Sequence, residues 1–344
     1  MSDLPPDPRS IHVGTAPPEP PRAEPAPAPP PPPRRRRWLW FLAALALVVA
    51  VPAGAFAVVA HRSWSAVERV DLSTELHGAA HGTNYLIVGT DSRAGVAPDT
   101  ANAGAIFGDG VAGERTDTIA VLRVVDDDVS LLAIPRDLYV PLGDGRTGRI
   151  NSAFTRGGPA ALVATVQREL GIGIDHYLEV DLAGFLGLVD ALGGVTIHVP
   201  HPAVDDRSGL VIESAGAQRL DGSQALAYVR SRRYTELIEG AWVTDPTSDL
   251  GRVVRQQRFL AAVMAELGAT RNPFTLLGAL RAVGANVRVD GTMSLFDATS
   301  LGWTLRGAEP TTATVPTTRF ITESGADVLI LTAESESVLA EFRG

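Results

Sequence analysis

The stretch RTDTIAVLRVVDDDVSLLAIPRD, residues 115–137, decides the fold. Its two β-rich runs, 118–125 and 129–134, are joined by an acidic turn, and this pattern predicts a β-hairpin. Asp117 enters the hairpin at the end where Arg136 leaves it. We therefore expect these two side chains to be neighbours at one edge of a sheet.

The pairing of a carboxylate with nearby arginines, beside an apolar run, recurs along the chain. Asp91 and Arg93 follow the apolar run 84–88, and Arg136 and Asp137 follow the hairpin. Carboxylates hold divalent cations and arginines bind phosphate oxygens, so the collection indicates a phosphate-transfer site. In open α/β sheets ligands collect beyond the carboxyl ends of strands, which is where Asp91 falls.

Strand-like and helix-like segments alternate after the hairpin. Predicted strands cover 84–88, 175–180 and 195–199, predicted helices cover 159–170 and 182–192, and a polar loop is predicted at 145–158. This alternation favours the α/β class, as a three-layer α/β/α domain with a mixed central sheet. The glycine- and alanine-rich residues 94–114 are predicted to form a loop or lid.

Two arginine clusters follow. Arg230 and Arg232 would point about 200° apart in a helix but share a face in an extended segment. Binding one pyrophosphate with both therefore requires the helix before them to stop near Val229. Residues 249–267 form the longest periodic helix, with Asp249 as the predicted N-cap. Three polar residues of this helix share one face, at positions i, i+3 and i+4: Arg252, Arg255 and Gln256.

The N-terminal region predicts a membrane anchor. Residues 1–37 form a proline-rich tail, predicted to be disordered and cytoplasmic, that ends in four arginines. Residues 38–60 carry no charge, and such a helix would be about 34 Å long, enough to cross a hydrocarbon core of about 30 Å. The arginines predict a cytoplasmic N-terminus, a single-pass cell-membrane protein, a connector at 61–82 and an extracytoplasmic catalytic domain at 83–344.

Composition excludes several classes of site and partner. The chain has no cysteine, so disulfides, thiolate metal sites and cysteine nucleophiles are absent. Residues 38–344 carry 24 basic and 35 acidic residues, a formal balance of −11, which argues against nucleic acid as a partner, because nucleic-acid binding needs a basic footprint. His176, His198 and His201 lack zinc-site spacing and are predicted to be structural or surface residues.

These motifs together carry a resemblance. The ordered series RTDT, IPRD, RINSAFTRGG, LDGSQALAYVRSR and DLGRVVRQQRFL, behind an uncharged N-terminal segment, resembles the LytR-CpsA-Psr family of cell-wall phosphotransferases. The resemblance covers residues 84–267. It implies transfer of a glycopolymer with its phosphate from a polyprenyl-pyrophosphate carrier to a peptidoglycan hydroxyl, which releases polyprenyl phosphate.

The resemblance also implies roles for particular residues. Asp91 and Asp117 match metal-binding positions, with Mg²⁺ as the expected ion and Mn²⁺ as the alternative. The matches to pyrophosphate-binding positions are Arg115, Arg136, Arg230, Arg232, Arg252, Arg255 and Gln256. The implied catalytic set is Asp91, Arg115, Asp117 and Arg136. A polyprenyl-pyrophosphate phosphatase and a non-catalytic lipid-carrier-binding protein remain as alternatives, whereas a transcription regulator is disfavoured because the cytosolic tail has no DNA-reading element.

Overall fold

The computed structural model describes residues 35–92, 116–126, 128–247, 249–284, 286–306, 308 and 310–344. The predicted loop 94–114, Arg93, Arg115 and the first 34 residues of the predicted tail lie outside these ranges. The chain divides into two compact units, Met1–Ala53 and Gly54–Gly344. Every element after the first helix belongs to the second unit.

Helices and strands follow one another in this order. They are α1 (Arg35–Ser65), β1 (Glu68–Val70), β2 (Thr83–Thr90), β3 (Thr116–Val125), β4 (Asp128–Ala133), β5 (Tyr139–Pro141), β6 (Thr147–Arg149), α2 (Asn151–Leu170), β7 (His176–Val180), α3 (Leu182–Ala191), β8 (Val195–Val199), β9 (Ala203–Asp205), β10 (Leu210–Ile212), β11 (Gly216–Leu220), α4 (Gly222–Arg230), β12 (Thr235–Ile238), β13 (Ala241–Thr244), α5 (Asp249–Ala269), α6 (Pro273–Val283), β14 (Val287–Asp290), α7 (Leu295–Thr304), β15 (Thr311–Thr314), β16 (Thr317–Ile321), β17 (Asp327–Leu331) and α8 (Ser335–Arg343).

A mixed seven-stranded sheet forms the centre, in the order β1-β14-β7-β2-β3-β4-β15. The predicted hairpin is confirmed, because β3 and β4 pair antiparallel. β2 pairs antiparallel with β3 and parallel with β7, so the carboxyl ends of β2 and β7 lie at the same edge as the start of β3. This register brings the segments around Asp91, Asp117 and Asp181 to one edge of the sheet.

The two faces of the sheet bury separate apolar clusters. Leu86 and Val88 of β2 join a cluster with α2 and α8, whereas Tyr85 joins a cluster with the end of α1, α5 and α7. Successive side chains of a strand point to opposite faces, so helices cover both sides of the sheet. A third cluster combines α3, α4 and α5 with the smaller sheets of β8–β13.

Two sequence predictions need correction. The predicted loop at 145–158 is wrong in part, because α2 already begins at Asn151; the backbone leaves helical geometry only at Gly157 and Gly158, where Gly158 takes φ +65°, and resumes at Pro159. The predicted strand β8 exists but pairs with β11 in a two-stranded sheet outside the central one. The glycine pair changes the direction of the helix without ending it, since glycine tolerates positive φ.

Helix α4 ends where the arginine argument requires. Its last residue is Arg230, and Ser231 has an extended ψ of 124°. The prediction that the helix stops near Val229 is therefore confirmed. Helix α5 begins at Asp249 itself, and the side chain of that residue lies outside the described part, so its predicted capping role stays a prediction.

The predicted span, 38–60, lies within α1, and the side chains of residues 38–46, 49, 52 and 53 are outside the described part. Within the described residues, no helix combines the length and the apolar character needed to cross a membrane.

His176 is a structural residue, as predicted. Its Nδ1 lies 3.2 Å from an Asp290 carboxylate oxygen and its ring stacks on Tyr85 at a centroid distance of 5.3 Å. Asp290 also accepts the Tyr177 N–H at 3.0 Å. Burial raises the pKa of Asp290, but the hydrogen bonds from His176, Thr292 and the Tyr177 backbone outweigh burial and lower this pKa to about 2.

Candidate active site

A cavity of about 620 Å³ opens at the sheet edge where β2 ends. Its walls are mostly apolar and come largely from the third cluster. The apolar lining side chains of the helices are Leu182, Phe185, Leu188, Val189, Leu226, Val229, Phe259, Leu260 and Val263. α3, α4 and α5 therefore enclose a volume suited to an apolar ligand.

Charged and polar groups line the same cavity. They are Thr90, Asp91, Asp117, Thr118, Asp181, Asp205, Arg207, Ser208, Arg230, Arg232, Arg233, Arg252 and Gln256. A smaller adjoining cleft is lined by Asp117, Arg136 and Arg252 among others. One site thus combines apolar walls with carboxylates and arginines, which suits an amphiphile that carries an anionic head group.

Asp117 and Arg136 meet as the hairpin argument predicts. Arg136 Nη1 donates a hydrogen bond to Asp117 Oδ1, and Arg136 Nε lies 3.4 Å from Asp137 Oδ2. The Asp117 side chain keeps 35% of its surface exposed, whereas that of Arg136 keeps 17%. Arg136 therefore orients a carboxylate that still faces the cavity.

The ends of β2 and β3 carry oxygen donors suited to a hard cation. Thr90 and Thr116 face each other in the ladder and immediately precede Asp91 and Asp117. Both threonine hydroxyls are buried and have no hydrogen-bond partner within the described part of the chain. No group of three or more His, Cys, Asp or Glu side chains with metal-site geometry occurs among the described residues. Two carboxylates nevertheless suffice for Mg²⁺, which keeps several waters and completes its shell with substrate phosphates.

Asp205 organises the arginine segment that follows α4, and the sequence analysis missed it. Its Oδ2 accepts hydrogen bonds from the Ser231 hydroxyl at 2.7 Å and from the backbone N–H groups of Arg232 at 3.0 Å and Arg233 at 2.8 Å. Its Oδ1 accepts the Arg207 N–H at 2.9 Å. Burial raises the pKa of Asp205, but these hydrogen bonds outweigh it and hold the pKa below its usual value. One buried carboxylate thus fixes the backbone from which Arg232 reaches the cavity.

Arg255 occupies a supporting position. It is 5% exposed and does not line the cavity; its Nη1 donates to Asp245 at 3.0 Å and its Nη2 to the Ser231 carbonyl at 2.8 Å. Its guanidinium also lies 4.5 Å from the centre of the Tyr234 ring. Gln256 lines the cavity and donates to the Val229 carbonyl at 3.3 Å. These two residues tie α5 to the end of α4.

Asp181 is a second cavity residue that the sequence analysis did not select. It caps α3 by accepting the Gly184 N–H at 2.7 Å. Burial raises its pKa and outweighs the backbone hydrogen bonds from Gly184 and Ala183 that lower it. Its sequence signal is an aspartate directly between a strand and an apolar helix, which is the usual N-cap pattern.

Most of the predicted site residues converge. The structure brings to one cavity Asp91, Asp117, Arg230, Arg232, Arg252 and Gln256, with Arg136 in the adjoining cleft. It does not place Arg255 against the cavity, so the predicted pyrophosphate contact of Arg255 lacks geometric support. Arg115 lies outside the described residues, and its role stays a prediction.

Residues 57–339 match the LytR_cpsA_psr family. The chain belongs to this family, and the resemblance read from its motifs is confirmed. Among solved structures, the LytR-Csp2A-Psr enzyme from Actinomyces oris superposes with a TM-score of 0.63 at 28% identity, covering 80% of this chain and 95% of that one. TagT bound to LI-WTA superposes with a TM-score of 0.60 at 22% identity, covering 80% and 98%, and supports the mixed α/β fold alone.

Curated relatives are cell-wall proteins. The chain is 40% identical over 220 residues to the probable cell wall biosynthesis protein LcpB of Corynebacterium glutamicum, which covers 63% of this chain and 49% of LcpB. It is 34% identical over 211 residues to the polyisoprenyl-teichoic acid–peptidoglycan teichoic acid transferase TagU of Halalkalibacterium halodurans, which covers 60% of each. The chain thus spans about half the length of the curated relatives it matches, from 49% to 60%.

Proposed function

We propose that this protein transfers a glycopolymer, with one phosphate, from a polyprenyl-pyrophosphate carrier to a hydroxyl of peptidoglycan. The observation that carries the proposal is the single cavity in which an apolar enclosure meets carboxylates and arginines. A polyprenyl chain fits the apolar walls of α3, α4 and α5, and a pyrophosphate fits the arginine-lined mouth. The teichoic acid transferase among the relatives supports the same class of reaction.

The proposed cofactor is Mg²⁺, with Mn²⁺ as the alternative ion, held by Asp91 and Asp117. Such an ion, when bound, supplies positive charge to the oxygens of the pyrophosphate. Arg136 keeps Asp117 turned toward the cavity through their ion pair. The threonine hydroxyls that precede the two aspartates, Thr90 and Thr116, add oxygen donors at the same edge of the sheet.

The arginines stabilise the transition state of the transfer. The acceptor hydroxyl oxygen forms a bond to the phosphorus that carries the sugar, and the bridging P–O bond to the carrier phosphate breaks. The acceptor hydroxyl releases its proton to solvent, and the electron pair of the broken bond stays on the oxygen of polyprenyl phosphate. Arg230, Arg232 and Arg252 line the cavity where this negative charge develops. The reaction therefore needs positioning and charge, and no covalent enzyme intermediate.

We also propose that the protein is a single-pass membrane protein with a cytoplasmic N-terminus and an extracytoplasmic catalytic domain. The uncharged residues 38–60, preceded by four arginines, support this topology. A reporter fused after Gly344 should be active only outside the cytoplasm. Activity of the fusion in the cytoplasm would contradict the topology.

One product analysis tests the proposed reaction. The protein is incubated with a lipid-linked glycan, Mg²⁺ and peptidoglycan fragments, and the sugar-bound phosphate is followed. A phosphodiester between glycan and peptidoglycan is the expected product. Free sugar phosphate without an adduct, even at high acceptor concentration, would instead identify a phosphatase, and retention of the unchanged lipid would identify a carrier-binding protein.

A further inference from the structure

Helix α7 exposes a face that carries no charge. The exposed residues Phe296, Thr299, Ser300 and Trp303 follow the spacing i, i+3, i+4 and i+7, which places them on one side of the helix. Phe296 is 78% exposed and Trp303 is 71% exposed. The solvent side of a helix normally carries charged and polar residues, so an exposed face with an aromatic ring at each end indicates contact with an apolar or interfacial partner.

Helix α6 carries a third exposed aromatic ring. Phe274, in the first turn of α6, is 72% exposed. Leu280 of α6 and Leu301 of α7 pack against the same apolar cluster on one face of the central sheet. The outer sides of the two helices therefore point away from that face. We call Phe274, Phe296 and Trp303 the aromatic surface.

Within residues 271–306 the exposed charged side chains are arginines. Arg271 precedes α6, Arg281 lies in the last turn of α6, and Arg306 follows α7. The Arg306 guanidinium lies 4.9 Å from the centre of the Trp303 ring. Between residues 271 and 306 the acids are Asp290, which is buried, and Asp297, which is held in the N-terminal capping box of α7. Aromatic rings beside arginines are typical of helices that lie in the headgroup region of a bilayer.

Two contacts connect the aromatic surface to the membrane and to the cavity. The Phe274 ring meets the Phe56 ring edge to face at 6.1 Å, and Phe56 belongs to the predicted span, 38–60. Helix α6 packs directly on α3, which supplies Phe185 and Leu188 to the cavity wall. A lipid surface at α6 would thus lie one helix away from the proposed binding site for the lipid carrier.

We propose that the aromatic surface rests in the headgroup region of the outer leaflet and docks the catalytic unit on the membrane. This inference rests on the proposed membrane anchoring. The occupant is an anionic lipid surface, because the exposed charged side chains on and next to these two helices are arginines. Docking holds α6 against the leaflet, and it shortens the path of a polyprenyl carrier from the membrane to the cavity.

The absence of cysteine permits a direct test. The full chain is reconstituted into vesicles of phosphatidylcholine and phosphatidylglycerol, with an environment-sensitive dye on Thr299→Cys or, as the control, on Val243→Cys. Val243 is also exposed but lies on the β12–β13 hairpin. Spin-labelled lipids should quench the dye at position 299 and leave the dye at position 243 unquenched. Adding Phe296→Ser and Trp303→Ser to the labelled Thr299→Cys variant should remove the quenching while circular dichroism stays unchanged.

The outcomes separate docking from anchoring and from catalysis. A carbonate wash of the vesicles reports anchoring, and transfer assayed in detergent reports the reaction. Equal quenching at both positions, or none at position 299, overturns the docking proposal even if the chain withstands the wash and transfers glycan. A blue shift at position 299 that rises with protein concentration in lipid-free detergent, without quenching in vesicles, would assign the aromatic surface to a second copy of the chain and overturn the lipid proposal. Quenching at position 299 in a chain that the wash removes supports docking and contradicts the anchor.

Discussion

Replacing Asp205 by asparagine should both lower the stability of the protein and weaken its binding of pyrophosphate. The carboxylate accepts hydrogen bonds on both oxygens, three on Oδ2 and two on Oδ1. An asparagine amide has a donor in place of one acceptor, so whichever way it turns, at least two N–H or O–H groups lose their acceptor. Hydrogen bonds to a charged group are worth about 1.5–3 kcal/mol each, and one of the two at Oδ1 is long, so we expect a loss of about 3 kcal/mol.

The site should respond as well, because the amide oxygen left at the Oδ2 position is an uncharged and therefore weaker acceptor for the Arg232 and Arg233 N–H groups. Asp205→Asn should weaken binding of a polyprenyl pyrophosphate about as much as Arg232→Ala does, although every arginine is still present. Urea unfolding gives the stability and fluorescence titration gives the affinity. Asp206→Asn is the matched control, since it removes the same charge one residue further on from an exposed position. If both asparagine variants unfold at the same urea midpoint, the assignment of Asp205 as the organising carboxylate is refuted.

Three further predictions concern the carboxylates and the arginines. Asp91→Ala and Asp117→Ala should each lower Mg²⁺-dependent transfer at least about a hundredfold with unchanged circular dichroism, and near-normal turnover of either variant would remove that residue from the proposed ion site. Arg230→Ala combined with Arg232→Ala should weaken retention of polyprenyl pyrophosphate at least about a hundredfold in equilibrium binding, since each charge-assisted contact contributes about 1.5–3 kcal/mol; affinity within threefold of wild type would contradict this. The pKa of Asp290, about 2, lies below its usual value, so the ionised carboxylate stabilises the fold above about pH 4 and this contribution is lost as the pH falls toward 2. Asp290→Asn should therefore lower the free energy of unfolding by about 2 kcal/mol at pH 7. In unfolding measurements at a series of pH values, the variant should lose less stability than wild type between about pH 4 and pH 2.

Local patterns predicted the parts of the site that neighbouring residues determine. The contact of Asp117 with Arg136 follows from strand alternation and a short turn, and the extended segment after α4 follows from the need for two arginines on one side. The structure supports both predictions because short-range geometry leaves few alternatives.

Long-range partners account for what the sequence analysis missed. Arg252, Arg255 and Gln256 share one face of an ideal helix, but Arg255 turns to Asp245 and the Ser231 carbonyl, which only the tertiary fold brings near. Asp205 acquires its role from the Ser231 hydroxyl and from the backbone N–H groups of Arg232 and Arg233, which follow 26 to 28 residues later in the chain. The spacing of polar and apolar residues along a helix or strand does not predict contacts between segments this far apart in the chain. The early start of α2 was missed because Gly157 and Gly158 are typical of a loop and here produce a kink.

The apolar walls of the cavity and the pair Asp91 and Asp117 belong to different packing units. Asp91 and Asp117 stand on adjacent strands of the central sheet, whose ladder fixes their spacing. The walls come from α3, α4 and α5, which share the third cluster. Under the proposed function, isoprenoid tails of different length would be accommodated by shifts of these helices, while the strand ladder keeps Asp91 and Asp117 at a fixed spacing. The range of lipid tails that the protein accepts would then depend on the packing of α3, α4 and α5, whereas the position of the reacting groups would depend on the central sheet.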